Sequence, residues 1–478
     1  MNLAKDSFFS SAWSLTDTIL TKCIAFFIGI ILARILEPTD FGLVGMVSVF
    51  IALGDTFIES GTTNALIRKL DRNDLDFSTA LFCNLILSTI AYAILFISSR
   101  SIASFYQEDS IILILRCLGL NLFIYSLCIV PNAILISSFH TKSQAKINFV
   151  ANATGGGIAV ISAYHGCGVW ALVIQSILAN LLKAIGYWLS VKWHPSLAIS
   201  QASLQYLWNY GSKSLAIGIL GTLFNNIYNL LIGKFFTKQD LGYYTRGNQF
   251  VQMPSGIIQS SFQKVSVATL ANLQDDIPKL KIVYRKYIHV LSFISFPLFF
   301  LLATIAEPLI IFLITEKWKA SILILQILSI GAAFSPLGII NLCLLQAINK
   351  IDYSLKLEII KKIVYLVIIC ISFPIGLIPM VIGASFYNIV GTGMNFSCSK
   401  KFLGYTYLEQ LKDISAYLFV SIIVASIIFN LIMPVITSLV LKILISSFLF
   451  VILYFGICYI LQLKALKDIF ELKTKLKS

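Results

Sequence analysis

The 478 residues include 36 Lys and Arg against 22 Asp and Glu, a formal net charge of +14, yet only 12% are charged and 58% are hydrophobic. Soluble domains devote about a quarter of their residues to charge, and a mean hydropathy of +0.87 leaves too little polar surface to face water. A soluble fold is therefore excluded, and with no basic soluble domain to carry the charge, nucleic acid is excluded as a partner.

Runs long enough to cross a bilayer, about 20 residues each, predict an all-α membrane protein with about fourteen transmembrane helices. The first six cover roughly 11–35, 41–66, 78–98, 111–137, 147–164 and 168–191. The first has no small-residue cleavage site and reads as a retained helix; it carries Asp17 and Lys22, and the second carries Asp55 and Glu59, four apart on one face. The next six cover roughly 206–233, 242–270, 287–313, 320–348, 355–374 and 379–399, and a final pair roughly 411–433 and 438–462. The seventh span holds Lys213, Asn225, Asn226 and Asn229, and the eighth Arg246, Asn248, Gln249, Gln252, Gln259, Gln263 and Lys264. Later spans are poorer in polar groups.

The chain repeats itself. Arg34, Asp40 and Gly42 recur as Lys234, Asp240 and Gly242, each 200 positions on, and Phe50 and Phe250 keep the register. Ile112–Leu115 and Ile322–Leu325 add a match at an offset of 210. Repeats six helices apart enter the membrane in the same direction, as in transporters built from parallel repeats. The expected domains are 1–200 and 201–402, each a six-helix bundle, and 403–478, two further helices and a basic tail. Two bundles face to face would enclose a cleft.

Lys and Arg alternate between loops. Arg68, Lys69, Arg72, Lys142, Lys146, Lys279, Lys281, Arg285, Lys286, Lys350, Lys356, Lys361, Lys362, Lys400, Lys401 and Lys412 fall on one side, with Lys464, Lys467, Lys473, Lys475 and Lys477 in the tail. Loops 165–168, 373–380 and 430–437 have none. The positive-inside rule then puts both termini in the cytoplasm, where these bases also meet anionic membrane lipid.

A charge at membrane depth costs at least ~2.5–3.5 kcal/mol, so it faces water or a partner. Polarity concentrates in the first two helices of each half, which are expected to line the cavity. Lys22, Lys213, Arg246 and Lys264, with Asn225, Asn229, Gln249 and Gln252, form a candidate site for an anion such as a diphosphate, because ammonium and guanidinium groups donate charge-assisted hydrogen bonds to phosphate oxygens. Asp55 and Glu59 are candidates for coupling to a cation, and the competing reading is a carboxylate neutralised by a nearby lysine. Mid-helix Pro254, Pro297 and Pro336 allow bending, and Gly155–Gly157 suits close helix packing. No catalytic residues, metal cluster or Gly-rich nucleotide loop is found. The nine scattered cysteines read as small hydrophobes in helices.

The segment Leu32-Ala-Arg-Ile-Leu-Glu-Pro-Thr-Asp-Phe-Gly-Leu43, with Gly61, Ala65–Arg68, Ile102–Tyr106, Gly168–Val173, Leu241–Tyr244, Ala306–Leu309 and Glu316–Trp318, resembles the polysaccharide transporter family. These are the O-antigen, capsule and lipopolysaccharide flippases of the multidrug/oligosaccharidyl-lipid/polysaccharide exporter superfamily. The resemblance runs to about residue 410. It departs from the family at Tyr228, where an acid often stands. The resemblance implies a transporter, not an enzyme, in the bacterial inner membrane, flipping undecaprenyl-diphosphate-linked repeat units by alternating access. It implies no cofactor, although H+ or Na+ could be the coupling ion, and other polysaccharide assembly proteins could be partners. Tyr228, Tyr243 and Tyr244 could stack on sugar rings. The alternatives are a multidrug or cation antiporter of the same superfamily and, from another class, a membrane polysaccharide polymerase.

Overall fold

A computed structural model describes residues 3–59, 62–69 and 71–466. Gly61 and tail residues Lys467, Lys473, Lys475 and Lys477 lie outside them, as does the Lys213 side chain. Seventeen α-helices and no strand are found among the described residues. In order they are α1 (Leu3–Ile35), α2 (Pro38–Glu59), α3 (Thr62–Arg68), α4 (Asp74–Tyr106), α5 (Ser110–Ser137), α6 (Thr141–Tyr164), α7 (Val169–Ser190), α8 (Gln201–Phe235) and α9 (Lys238–Ala271). There follow α10 (Ile277–Thr304), α11 (Ala306–Ile314), α12 (Ala320–Ala332), α13 (Ser335–Ala347), α14 (Ile351–Ser372), α15 (Leu377–Leu403), α16 (Tyr407–Ile427) and α17 (Leu439–Ile460).

Each predicted span coincides with one helix or with two in succession. Eleven stretches are long and apolar enough to cross a membrane, and the chain is a multi-pass membrane protein. The helices α6, α9 and α14 have the length, at 24, 34 and 22 residues, but are too polar to join that group. Fourteen crossings are compatible with this set. Several helices also begin before their apolar runs: α10 starts at Ile277 and α14 at Ile351. Lys279, Lys281, Arg285, Lys286, Lys356, Lys361 and Lys362 are thus helical, not loop, residues.

Local chemistry sets several boundaries. At α4, the Asn73 side chain accepts from the Asp76 backbone while Asp76 accepts from the Asn73 N–H, a reciprocal cap. Thr406 and Glu409 repeat it at α16. The tenth predicted span breaks between α12 and α13, where Pro336 sits in the first turn of α13 and supplies no N–H to the preceding turn. The buried Ser295 hydroxyl of α10 donates to the Ala333 carbonyl at 2.7 Å, and Thr392 of α15 to Phe334 at 3.1 Å. Neighbouring helices thereby satisfy the backbone at the break, as the bilayer interior requires.

By contact the chain forms two compact units, Met1–Thr245 and Arg246–Ser478. This division differs from division by repeat because α8, the seventh predicted span, packs along α2, with Thr56 and Thr222 hydroxyls 2.8 Å apart. In the first unit α6 packs between α1 and α7, and α5 between α4 and α7. Gly156 lets Ile28 of α1 approach α6, since a Cβ there would lie 2.0 Å from Ile28 Cδ1, and Gly155 meets Ala179 of α7 in the same way. In the second unit α15 lies against α12, α13 and α14. The last two helices join this unit's core: Arg285 of α10 grips Asp413 of α16 through two hydrogen bonds of 2.8 and 2.9 Å, and the Tyr454 hydroxyl of α17 donates to the Phe293 carbonyl.

Candidate functional site

The repeated motif is a helix start followed by a glycine contact. In the first copy the Glu37 N–H donates to Asp40 Oδ2 at 3.0 Å, and in the second the Thr237 N–H and hydroxyl donate to Asp240 Oδ2 at 3.2 and 2.7 Å. Each Asp therefore closes the first turn of its helix. The glycines two residues later bring the two copies together within the first unit. A Cβ on Gly42 would lie 1.7 Å from the Lys238 carbonyl oxygen, and one on Gly242 would lie 1.9 Å from that of Pro38. The contact is reciprocal, as a two-fold relation between repeats requires. Beside it Lys238 pairs with Glu108 at 2.7 Å, and Lys234 donates to the Phe105 carbonyl. That ion pair holds the Glu108 carboxyl below its ordinary value.

Two acidic sites lie in the first unit. Asp17 accepts from the Asn148 amide of α6 at 3.1 and 3.2 Å and from Thr21 at 3.3 Å, and Asn148 in turn accepts from Tyr187 of α7 at 2.8 Å. Lys22, half-buried one residue beyond Thr21, has no part in that network. Asp55 and Glu59 are half-buried on α2, and Glu59 accepts from the Tyr125 hydroxyl of α5 at 3.0 Å. Among the described residues no Lys or Arg forms an ion pair with either. Asn225 is exposed on α8 and Asn229 half-buried. Tyr228 and Tyr244 are buried and stacked on each other at 5.9 Å and 15°, so both rings serve packing.

In the second unit Arg246 is buried at 8% exposure. Its guanidinium donates to Gln249 on the next turn and lies 5.9 Å over the Trp318 ring. Gln252 is exposed one turn further on, and its amide reaches Asn248 at 3.5 Å. Lys264 is exposed near the far end of α9. The structure thus brings Arg246 and Gln249 into direct contact and links Gln252 to Asn248, with Lys264 near the far end of the same helix.

A polar cavity of about 200 Å³ also opens within the second unit, lined by Gln259 of α9, Asn341 of α13, Glu358 and Lys361 of α14, and Asn388 and Asn395 of α15. The sequence analysis does not single it out: Lys361 falls among the loop charges and Gln259 among the polar residues of the eighth span. The available signal was Asn388, Thr392 and Asn395 at i, i+4 and i+7, a polar stripe on one face of an otherwise apolar helix.

Comparison with known proteins follows the same lines. The chain is 25% identical over 299 residues to the teichuronic acid biosynthesis protein TuaB of Bacillus subtilis (strain 168), a match spanning 62% of each chain and so less than two thirds of that relative's length. It is 23% identical to the lipopolysaccharide biosynthesis protein WzxC of Escherichia coli (strain K12), over 86% of this chain and 84% of the other. Among solved structures the lipid II flippase MurJ, in an inward closed conformation, superimposes with a TM-score of 0.73 at 14% identity, covering 96% of this chain and 99% of that one. A multidrug resistance transporter of the MATE family, in an inward-facing conformation, gives 0.63 at 19% identity, over 84% and 95%. Both likenesses are to the fold. Residues 31–323 match the family model described as polysaccharide biosynthesis protein, and the chain belongs to that family.

Proposed function

We propose that the chain is a flippase that moves a polyprenyl-diphosphate-linked oligosaccharide repeat unit across the bacterial inner membrane by alternating access, with both termini in the cytoplasm. The sugar head is too polar to enter lipid alone, and a polar path through protein removes that barrier. Family membership supports a role in polysaccharide assembly. The observation that carries the choice of cargo is Arg246. A buried guanidinium on a polar helix, beside amides and an indole, suits a phosphate oxygen and repels a cationic drug. Asp55 and Glu59, adjacent carboxylates with no basic partner in the described structure, are the proposed coupling site for H+ or Na+.

The test is export of surface polysaccharide in a strain lacking this protein. Arg246→Ala and Lys213→Ala are expected to cut export strongly, with Arg246→Lys restoring part of it. Full export by both alanine variants would remove the anion site. Changed drug sensitivity in the deletion strain, with intact surface polysaccharide, would favour the antiporter reading instead.

A further inference from the structure

The cavity of the second unit has a chemistry unlike that of Arg246, and neither Arg246 nor Gln249 lines it. Its walls are fixed by internal bonds: Asn341 accepts from Tyr284 at 2.9 Å, Gln259 donates to Ser335 at 2.9 Å, and Thr392 donates to the Phe334 carbonyl at 3.1 Å. The side-chain amides of Asn388 and Asn395, by contrast, make no hydrogen bond to any described residue. Seven residues apart on α15, they open into the same space. Glu358 and Lys361 line it as an i, i+3 ion pair, so its titratable groups cancel. Tyr387 contributes a ring, itself packed on Tyr365 at 4.4 Å. Gly391 leaves the space clear, since a Cβ there would still lie 3.8 Å from the nearest atom.

A net-neutral site favours neither a phosphate nor a free cation. Unpaired carboxamides each donate and accept, as does every sugar hydroxyl, and an aromatic ring suits the C–H face of a pyranose. A volume of about 200 Å³ holds roughly six or seven waters at ~30 Å³ each, the scale of a single sugar ring with its hydroxyls. We propose that this cavity binds one neutral, hydroxyl-rich sugar residue. The proposal rests on the flippase reading and adds to it a subsite that selects the glycan, separate from the one that holds its diphosphate.

The test uses the full-length chain in lipid nanodiscs and saturation-transfer NMR with glucose, galactose, mannose and N-acetylglucosamine as probes, and pyrophosphate as competitor. At least one sugar should receive saturation, and pyrophosphate should not displace it. Asn388→Leu and Asn395→Leu should each reduce the transfer at least five-fold. Gly391→Leu, which fills the cavity while keeping every polar group, should do the same with an unchanged Tm. Sugar binding lost in these variants supports the cavity even where export assays fail, so the two readings fail separately. No transfer to any of the four sugars, or equal transfer in Gly391→Leu, overturns the proposal.

Discussion

Single residues carry the repeat. Gly42 and Gly242 tolerate no side chain because each faces a backbone carbonyl of the other copy at less than 2 Å from a built Cβ. Gly42→Ala and Gly242→Ala should each destabilise the protein by about 1–3 kcal/mol, the usual cost of overpacking. Gly157→Ala, with nothing within 4 Å, should be neutral or stabilising; thermal unfolding in detergent compares the three. The neighbouring Glu108–Lys238 pair predicts a pH effect. The Glu108 carboxyl is lowered, chiefly by its hydrogen bond to Lys238, so its stabilisation is present above the unfolded carboxylate value and is lost as pH falls through the lower folded one. Both partners are partly exposed, so Glu108→Gln should cost no more than about 1 kcal/mol at pH 7. That difference should shrink in high salt and vanish in strong acid. Equal stability of both proteins at pH 7 in low salt would argue against it.

At the scale of helices, the fold was legible because each apolar run is long and uninterrupted by charge. The breaks were not. The tenth span reads as one apolar run, and only its partners reveal why it divides: Ser295 and Thr392, from helices distant in sequence, take up the carbonyls at the break. Ser295→Ala should therefore cost about 1–3 kcal/mol by leaving a buried carbonyl without its donor. Ser162→Ala, at an exposed hydroxyl bonded only within its own helix, is the control and should cost little. The fate of His289 has the same origin. It stands near the start of the ninth predicted span, and α10 buries it against Tyr417 of α16, where the Nδ1 and hydroxyl are 3.3 Å apart. The polar α9 advertised Arg246 and Gln249 through local composition alone. The cavity in the second unit draws its polar lining from four helices, α9, α13, α14 and α15, so no single stretch of sequence announces it.

At the scale of the whole molecule, the proposal of an anionic, sugar-bearing lipid as cargo draws on buried Arg246 and on family membership. Coupling through the paired carboxylates adds a separate expectation. Asp55→Asn combined with Glu59→Gln should slow export by about ten-fold or more while leaving the amount of membrane-inserted protein unchanged, as measured by surface polysaccharide against protein level. Unaltered export would move the coupling site elsewhere, with the network of Asp17, Asn148 and Tyr187 the next place to look. Transport itself is most directly measured with purified protein in sealed vesicles whose inner leaflet holds a polyprenyl-diphosphate oligosaccharide, using an impermeant glycosidase outside. Vesicles containing the protein should expose the glycan to the enzyme many times faster than empty ones, and Arg246→Ala should bring the rate close to the empty level. Equal exposure with and without protein, or a full rate in Arg246→Ala, would contradict a flippase that holds its cargo by the diphosphate.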